Sequence, residues 1–437
     1  MKNQIAFYIN SSSYSDMDFR RIYYGNPGIG GSEYMKLLIA YLLTIRDNNI
    51  SVTVFLTGRG VFPKEMKISS CSSLKEAIKI ADSRRIDYFI CDHIKQNMDT
   101  IEEIQTTSVR FILWCHNFAS LQALDRCVIN ESISIILNVG REQMDIYRDH
   151  PSFNKMEYIF NCISTDCVDR YNVKSYPIKN RKNIVTYIGA INRYKGFHRL
   201  AQAWPRVIEQ VPDAELYVIG AGNLYDKTVK LGKWGIAEEE YENYFMQYLT
   251  KDGKILDSVH FMGILGEEKN DILLRTKVGV PNPTGASETF CISALEMQMM
   301  GATIVSKECA GFLDTVLTGR LVKNYNLLVD GIVKELKNPQ DNYDKVVEEV
   351  KRKFSYENVA HDWEILIREG KINRQEKLNN VNFRFKGYKE VFRKIKVHFP
   401  ILNIIPPLEA LYTYYKRKSN HFRAVTEENR YDYIDLF

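Results

Sequence analysis

The sequence Ser-Glu-Thr-Phe-Cys-Ile-Ser-Ala-Leu-Glu at residues 287–296 is the most informative stretch of the chain. It follows a strand-like apolar run at 278–280 and a turn of Pro, Asn, Thr and Gly at 281–285. It leads into a short helix that Gly301 can end. The stretch therefore predicts a strand, a loop that carries Glu288, and a helix that carries Glu296.

The two carboxylates and the helix start between them indicate the chemistry of a ligand. Backbone N–H groups at a helix start attract anions, above all phosphates. A carboxylate suits hydroxyl groups because it accepts several hydrogen bonds. A phosphate joined to many hydroxyl groups describes a nucleotide sugar.

Short apolar runs alternate with longer helical patterns along the chain. The first set lies at 5–9, 52–56, 88–91, 111–115, 133–137 and 158–160, and the second at 184–188, 216–219, 259–261, 278–280 and 303–305. Such alternation is typical of parallel sheets with βαβ connections. We expect an α/β protein with two doubly wound domains and a polar linker at 172–182. Ligands bind at the carboxyl ends of such strands, so two domains face to face would form a central ligand cleft between them.

Size and composition fit a globular protein of two to three domains. The chain has 437 residues, of which 45% are hydrophobic and 26% charged. No apolar run reaches the ~20 residues that a membrane-spanning helix needs, and the first residues predict a strand, not a signal peptide. The eight cysteines show no C-x-x-C pair and no metal-ligand spacing, which fits buried thiols in a reducing cytoplasm.

A glycine-rich loop at 25–33, Gly-Asn-Pro-Gly-Ile-Gly-Gly-Ser-Glu, follows the first predicted strand and opens a helix at Ser32. Its glycines let the backbone approach a ligand closely. Glu33 occupies the sixth position, where a G-x-G-x-x-G fingerprint needs glycine, and no Gly-Lys-Ser/Thr is present, which excludes a P-loop. A tight turn without a ligand remains the alternative.

Three further features follow predicted strands. The loop at 189–196 places Arg193 and Lys195 where two cations suit a diphosphate, although a solvated charge pair would look the same. His116 ends a strand of the first set and fits either the cleft or a structural role. Gly220-Ala221-Gly222 is a close-approach loop or simply a turn.

Together these residues resemble the retaining glycosyltransferases of family 4, which have the GT-B fold. Order and spacing match over roughly residues 1–367, and Phe354-Ser355-Tyr356-Glu357 resembles the start of the family's closing helix. The resemblance implies an N-terminal Rossmann-like acceptor domain at 1–175, a nucleotide-sugar domain at 183–353 and a closing helix at 354–370 that returns to the first domain. A basic, aromatic extension, expected to be helical, follows at 371–437.

The resemblance also implies roles for matched residues. Lys195 would bind the donor diphosphate, Glu288 the donor sugar and Glu296 the ribose hydroxyls. His116 would lie near the transferred sugar. Close backbone contacts with the donor would come from Gly30, Gly31, Gly189, Gly220, Gly222, Phe290, Cys291 and Ile292.

Two positions depart from the family pattern. Ala190 stands where the family usually has Arg directly after the first glycine of the phosphate loop, and Arg193 would supply the missing charge. Cys291 stands where Gly is common, which would narrow the sugar pocket.

The implied reaction is the retaining, metal-independent transfer of a hexose-type sugar from a UDP- or GDP-sugar. The acceptor would be a glycan or a lipid-linked molecule in cell-surface polysaccharide synthesis. No further cofactor is expected. Fixed cations and a helix start would stabilise the leaving diphosphate without a metal. Asp16-Met17-Asp18, formally the D-x-D of another glycosyltransferase fold, lies in a Ser-rich loop and is interpreted as surface charge. A nucleotide-sugar epimerase of the same fold and a non-catalytic nucleotide-sugar binding subunit stay open.

The positive charge is concentrated near the end of the chain. Residues 371–423 hold thirteen Lys and Arg against three Asp and Glu, and residues 378–418 interleave cations with aromatic side chains. Such a segment is typical of proteins that bind peripherally to anionic lipid, here at the inner face of the membrane. The alternatives are a helical extension packed on the first domain and contact with another macromolecule. No nucleic-acid partner is expected, because no recognised nucleic-acid module accompanies the segment.

Overall fold

The computed structural model describes residues 2–10, 17–46, 49–104, 106, 108–223, 228–372, 388–408 and 411. These residues form two compact units. The first contains the described residues of Met1–Arg20, Met35–Phe160 and Val359–Arg430, and the second contains those of Arg21–Tyr34 and Asn161–Asn358. Each unit is built around its own parallel sheet.

The sheet of the first unit has seven strands. In chain order they are β1 (Asn3–Ile9), β2 (Ile50–Leu56), β3 (Lys67–Ser70), β4 (Tyr88–Asp92), β5 (Arg110–Cys115), β6 (Ile133–Asn138) and β7 (Met156–Tyr158). Their spatial order is β3-β2-β1-β4-β5-β6-β7, and every neighbouring pair is parallel. The chain runs from β1 to one edge and then returns to build the other side, which is the doubly wound, Rossmann-like arrangement.

The sheet of the second unit repeats this order with six strands. They are β8 (Ile184–Ile188), β9 (Glu215–Ile219), β10 (Val259–Gly263), β11 (Val278–Gly279), β12 (Thr303–Lys307) and β13 (Gly319–Val322). The spatial order is β10-β9-β8-β11-β12-β13, again parallel throughout. The switch point, where strand order reverses, lies between β8 and β11.

Helices connect the strands in both units. They are α1 (Gly31–Arg46), α2 (Leu74–Ser83), α3 (Lys95–Glu103), α4 (Leu121–Ile129), α5 (Arg141–Asp145), α6 (Cys167–Arg170), α7 (Phe197–Gln210), α8 (Glu239–Met246), α9 (Lys269–Arg275), α10 (Ile292–Met299), α11 (Ala310–Thr315), α12 (Leu328–Lys337), α13 (Tyr343–Phe354), α14 (Tyr356–Glu369) and α15 (Tyr388–His398). Short 3₁₀ turns lie at Pro151–Lys155, Val173–Ser175, Ile178–Asn180, Tyr325–Leu327 and Pro400–Ile404. Two-residue ladders pair Met17–Asp18 with Gly60–Val61 and Thr250–Lys251 with Lys254–Ile255.

The α/β class with two Rossmann-like sheets is confirmed. Every apolar run in the sequence falls on a strand, although β7 lies two residues earlier than the run at 158–160. The strands β3 and β13 were not predicted, because Lys-Ile-Ser-Ser and Gly-Arg-Leu-Val are short and carry polar side chains. Both are the edge strands of their sheets, where less apolar surface has to be buried.

The end of the described chain packs on the first unit. Trp363 of α14 is fully buried against Trp114 and Phe7, with ring centroids 4.7 and 5.8 Å away. The helix α15 confirms helical structure in part of the basic extension. Residues 378–387, 409–410 and 412–418 of the predicted membrane segment lie outside the described residues, as does Asp16. None of the described helices is long and apolar enough to cross a membrane.

Candidate active site

A cavity of about 240 Å³ opens at the carboxyl ends of the strands in the second sheet. This is the edge at which open parallel sheets bind ligands. All of its lining residues belong to the second unit. They are Asn26, Gly28, Ile29, Gly31, Tyr34, Ile188, Gly189, Lys195, Ile219, Gly220, Ile264, Leu265, Lys269, Asn282, Glu288, Phe290, Cys291, Ile292, Ser293 and Glu296.

Two glycines form one wall where β8 and β9 end. Gly189 and Gly220 follow these strands, and a Cβ atom on Gly220 would stand only 1.9 Å from the carbonyl oxygen of Gly189. Gly220 also has φ +142°, which side chains disfavour. Glycine is therefore required at residue 220 for the two loops to meet, and the wall it forms is bare backbone.

An ion pair between Lys195 and Glu288 lies in another wall of the cavity. The Lys195 Nζ atom lies 2.9 Å from Oε2 of the buried Glu288, and the Asn282 side-chain amide donates to the same oxygen at 3.0 Å. Asn282 and Ser287 flank this loop with φ of +39° and +53°. Non-glycine residues in this region carry strain that often collects at functional loops. The loop thus holds the Glu288 carboxylate against a cation inside the cavity.

The loop of Glu288 is fixed from behind by α11. The Gly311 N–H donates to the Glu288 carbonyl at 3.1 Å, and a Cβ on Gly311 would come within 2.7 Å of that oxygen. Backbone therefore packs directly on backbone, which leaves the loop little room to shift.

A second ion pair joins the helices α9 and α10. Lys269, the first residue of α9, donates to Oε1 of Glu296 on α10 at 2.7 Å. Both side chains are partly buried, which reduces screening of the pair by solvent. The N-cap residue of α10, Cys291, makes no side-chain cap bond, and the first two residues of the helix, Ile292 and Ser293, line the cavity, so the positive end of this helix lies at the cavity.

Cys291 narrows the cavity beside these groups. Its side chain is buried, and burial raises the pKa of the thiol to about 12, with the nearby Glu288 carboxylate as a smaller cause. Its Sγ atom lies 3.4 Å from the Ser293 hydroxyl. The residue is therefore a neutral, space-filling thiol at neutral pH.

The glycine-rich loop of residues 25–31 closes another side of the cavity. The Asn26 side-chain oxygen accepts hydrogen bonds from the N–H groups of Gly28 and Ile29, both at 2.9 Å. The Asn26 amide donates back to the Ile29 carbonyl. This Asx-type bonding fixes the turn that presents Gly31 and Tyr34 to the cavity.

The cavity brings together nine of the thirteen residues predicted from the sequence: Gly31, Gly189, Lys195, Gly220, Glu288, Phe290, Cys291, Ile292 and Glu296. Four lie elsewhere. Gly30 precedes the lining residue Gly31, and its carbonyl accepts from the Tyr34 N–H. Gly222 packs against the backbone of Ala237.

Arg193 and His116 also lie outside this lining. The Arg193 guanidinium forms ion pairs with Glu238 at 3.4 Å and Glu240 at 3.1 Å. His116 follows β5 in the first unit and packs on the Trp114 ring at 4.4 Å. Burial lowers the pKa of His116 to about 3, so its imidazole is neutral at physiological pH.

Sequence reasoning missed several lining residues, of which Lys269 and Asn282 are the most informative. Asn282 stands in the Pro-Asn-Pro turn after β11, and Lys269 begins the helix after β10. Both follow strands of the predicted sheet, so the rule that ligands bind at carboxyl ends could have found them.

Comparison with known proteins identifies this part of the chain. Residues 169–353 match the family model of glycosyl transferases group 1. No curated protein matches the chain significantly. Because the matched residues include most of the cavity lining, the cavity belongs to a glycosyltransferase domain, and the chain is a glycosyltransferase.

Similarity to solved structures identifies the fold. Sucrose-phosphate synthase from Thermosynechococcus elongatus has 17% identity and a TM-score of 0.60, over 84% of this chain and 99% of that one. Anabaena HepE in complex with UDP has 13% identity and a TM-score of 0.57, over 84% and 100%. The lipopolysaccharide outer core galactosyltransferase WaaB, in its apo form, has 14% identity and a TM-score of 0.54, over 84% and 99%. The fold is thus GT-B.

Proposed function

We propose that the protein is a retaining, metal-independent hexosyltransferase that uses a UDP- or GDP-sugar and transfers the sugar to a glycan or lipid-linked acceptor in cell-surface polysaccharide synthesis. The observation that carries the proposal is the two ion pairs, Lys195–Glu288 and Lys269–Glu296, that lie beside the N-terminus of α10 at the cavity. Cations and helix amides suit a diphosphate, and carboxylates suit hydroxyl groups.

Each group then has a role in donor binding. Lys195 and the amides of residues 290–292 hold the diphosphate, Glu288 holds the sugar and Glu296 holds the ribose. Gly31, Gly189 and Gly220 let the backbone approach the donor. Lys269, which lines the cavity, supplies the second cation in place of Arg193, whose guanidinium is paired with Glu238 and Glu240.

The transfer follows from these contacts. The bond between the anomeric carbon and the leaving phosphate oxygen breaks as the acceptor oxygen forms a bond on the same face. The acceptor proton passes to the leaving phosphate, which keeps the charge balanced. Lys195, Lys269 and the helix amides stabilise the negative charge that develops on the diphosphate, and removal of one such contact typically costs about 2.7–4 kcal/mol of barrier. Isolation of a covalent sugar–enzyme adduct would contradict this route.

Location and acceptor are part of the same proposal. All eight cysteines are free thiols, as expected in the reducing cytoplasm, where nucleotide sugars would be the donors. The resemblance to WaaB in fold agrees with a cell-surface glycan as acceptor. His116 stays a predicted contact of the transferred sugar, which activity of His116→Ala would test.

A donor screen followed by an assay tests the proposal. A UDP- or GDP-sugar should raise the melting temperature, because a ligand that binds only the folded state stabilises it by mass action. Transfer to an acceptor should then persist in EDTA and give a product with the donor's anomeric configuration, read by NMR. An inverted product or strict dependence on a divalent ion would refute the retaining or the metal-independent part.

The same assay separates the alternatives. An epimerase would convert the donor sugar without any acceptor. A non-catalytic subunit would bind the donor yet turn it over no faster than Lys195→Ala does.

A further inference from the structure

The described part of the basic extension is fixed to the first unit by one buried carboxylate. The Lys396 Nζ atom on α15 lies 3.1 Å from Oδ2 of Asp149, and both side chains are only 1% exposed. The same oxygen accepts the N–H of Leu408 at 2.8 Å, and Lys396 also donates to the carbonyls of Ile405 and Pro406. This segment is therefore a fixed part of the first unit, with a defined inner face.

The opposite face of this segment is apolar and exposed. Val391 and Ile395 lie on one stripe of α15, and Phe399, one residue past the end of the helix, continues their four-residue spacing. In the following turn Ile401 and Ile404 are 75% and 86% exposed. Six of the seventeen exposed large apolar side chains among the described residues fall between residues 391 and 411, so the concentration marks an interaction surface.

Charge indicates which partner fits this surface. The surrounding sequence, residues 371–423, has ten more Lys and Arg than Asp and Glu. Two of these cations, Arg393 and Lys396, are buried, and without them the sequence of this stretch still has eight more Lys and Arg than Asp and Glu. Apolar side chains within a strongly cationic segment are the composition of an interfacial, lipid-binding element, whereas a protein-binding helix needs no such excess of one charge.

We propose that the face formed by Val391, Ile395, Phe399, Ile401 and Ile404 docks on an anionic lipid bilayer, with these side chains inserted among the headgroups and the net positive charge of the surrounding sequence favouring anionic lipid. The buried Lys396–Asp149 pair holds this face in position. Arg393 and Lys396 are buried and therefore serve the fold of this segment and not the lipid contact.

Flotation of the full-length protein with vesicles tests this proposal. The wild type should float with phosphatidylcholine vesicles that contain phosphatidylglycerol, float less with phosphatidylcholine alone, and be released by salt. The variant I401D/I404D should bind the anionic vesicles about tenfold or more weakly, because each substitution removes an apolar contact and adds a repelled charge. Ile129→Asp, at an exposed isoleucine of the same unit, is the matched control and should float like the wild type.

Two results would overturn the proposal. One is wild-type protein that ignores anionic vesicles, or I401D/I404D that floats as well as the wild type with an unchanged melting temperature. The other is concentration-dependent self-association of the wild type, lost in I401D/I404D, without vesicle binding, since the face would then serve a second copy of this chain. Lys195→Ala should float normally, which keeps this test independent of the donor site.

Discussion

The Lys195 Nζ atom lies 2.9 Å from the Glu288 carboxylate. The residue proposed to bind the diphosphate and the residue proposed to bind the sugar therefore contact each other. A donor phosphate must compete with Glu288 for the lysine charge. The pair therefore orients Lys195 toward the cavity, and the lysine charge becomes available to the phosphate when the sugar hydroxyls bind Glu288.

Substitutions at this pair should separate binding from catalysis. Lys195→Ala should lower kcat/KM about 10²–10³-fold, because the charge that develops on the diphosphate loses one fixed cation. Glu288→Gln should lower kcat while the donor KM changes little, because the lysine gains freedom to hold phosphate as the sugar loses its acceptor. Steady-state kinetics with varied donor measure both. A Glu288→Gln enzyme with wild-type kcat would contradict the sugar role.

The two candidate second cations give opposite expectations. Lys269→Met should weaken UDP or GDP binding about tenfold or more, in the range for a hydrogen bond to a charged group. Arg193→Met should leave affinity nearly unchanged, because Arg193 pairs with Glu238 and Glu240 at the surface. Calorimetric titration of the nucleotide compares them directly. Loss of affinity in Arg193→Met alone would restore the sequence-based assignment.

Most of the fold could be predicted because its strands are apolar runs that parallel sheets bury on both faces. The loop glycines and Glu288 could be predicted because they follow such runs directly. The pairing of Lys269 with Glu296 could not, since it depends on how α9 and α10 approach across 27 residues of chain. Arg193 is closer in sequence to Lys195 than Lys269 is, which made it the predicted second cation. Only the structure shows that its guanidinium pairs with Glu238 and Glu240.

The close approach of two loops makes Gly220 sensitive to any side chain. Gly220→Ala would force its Cβ within 1.9 Å of the Gly189 carbonyl oxygen, so one loop must move out of the cavity wall. We expect nucleotide binding to be lost and the melting temperature to fall. Gly253→Ala is the control, since Gly253 also has positive φ but no atom within 4 Å of a Cβ there. It should cost only about 1–2 kcal/mol of backbone strain and leave nucleotide affinity intact.

Cys291 is the side chain expected to limit the size of the donor sugar. Cys291→Gly should enlarge the cavity and raise the activity with bulkier N-acetylated donors relative to unsubstituted hexose donors. Cys309→Ala, at a thiol 3.8 Å from the Glu288 carbonyl but outside the cavity lining, is the matched control. The measured quantity is the ratio of kcat/KM for the two donor types. An unchanged ratio in Cys291→Gly would show that donor choice lies elsewhere.

His198 should make folding stability depend on pH. It lies buried in the first turn of α7 with its Nδ1 atom 3.0 Å from the Tyr241 hydroxyl. Burial, with a smaller contribution from Arg199, lowers its pKa from the ordinary 6.5 of histidine to about 3. The folded state therefore binds fewer protons than the unfolded state in this pH range. The free energy of unfolding is highest above pH 6.5 and falls as the pH drops toward 3, because protons bind the histidine of the unfolded chain.

The loss through His198 should be about 2 kcal/mol between pH 7 and pH 5, at about 1.4 kcal/mol for each pH unit below 6.5. Urea unfolding at the two pH values measures it. His198→Gln has no group that titrates in this range, so its unfolding free energy should fall by about 2 kcal/mol less than that of the wild type. His361→Gln, at an exposed histidine of α14, should keep the wild-type dependence. Equal pH dependence in His198→Gln and wild type would mean that His198 is already protonated, or already solvated, in the folded protein.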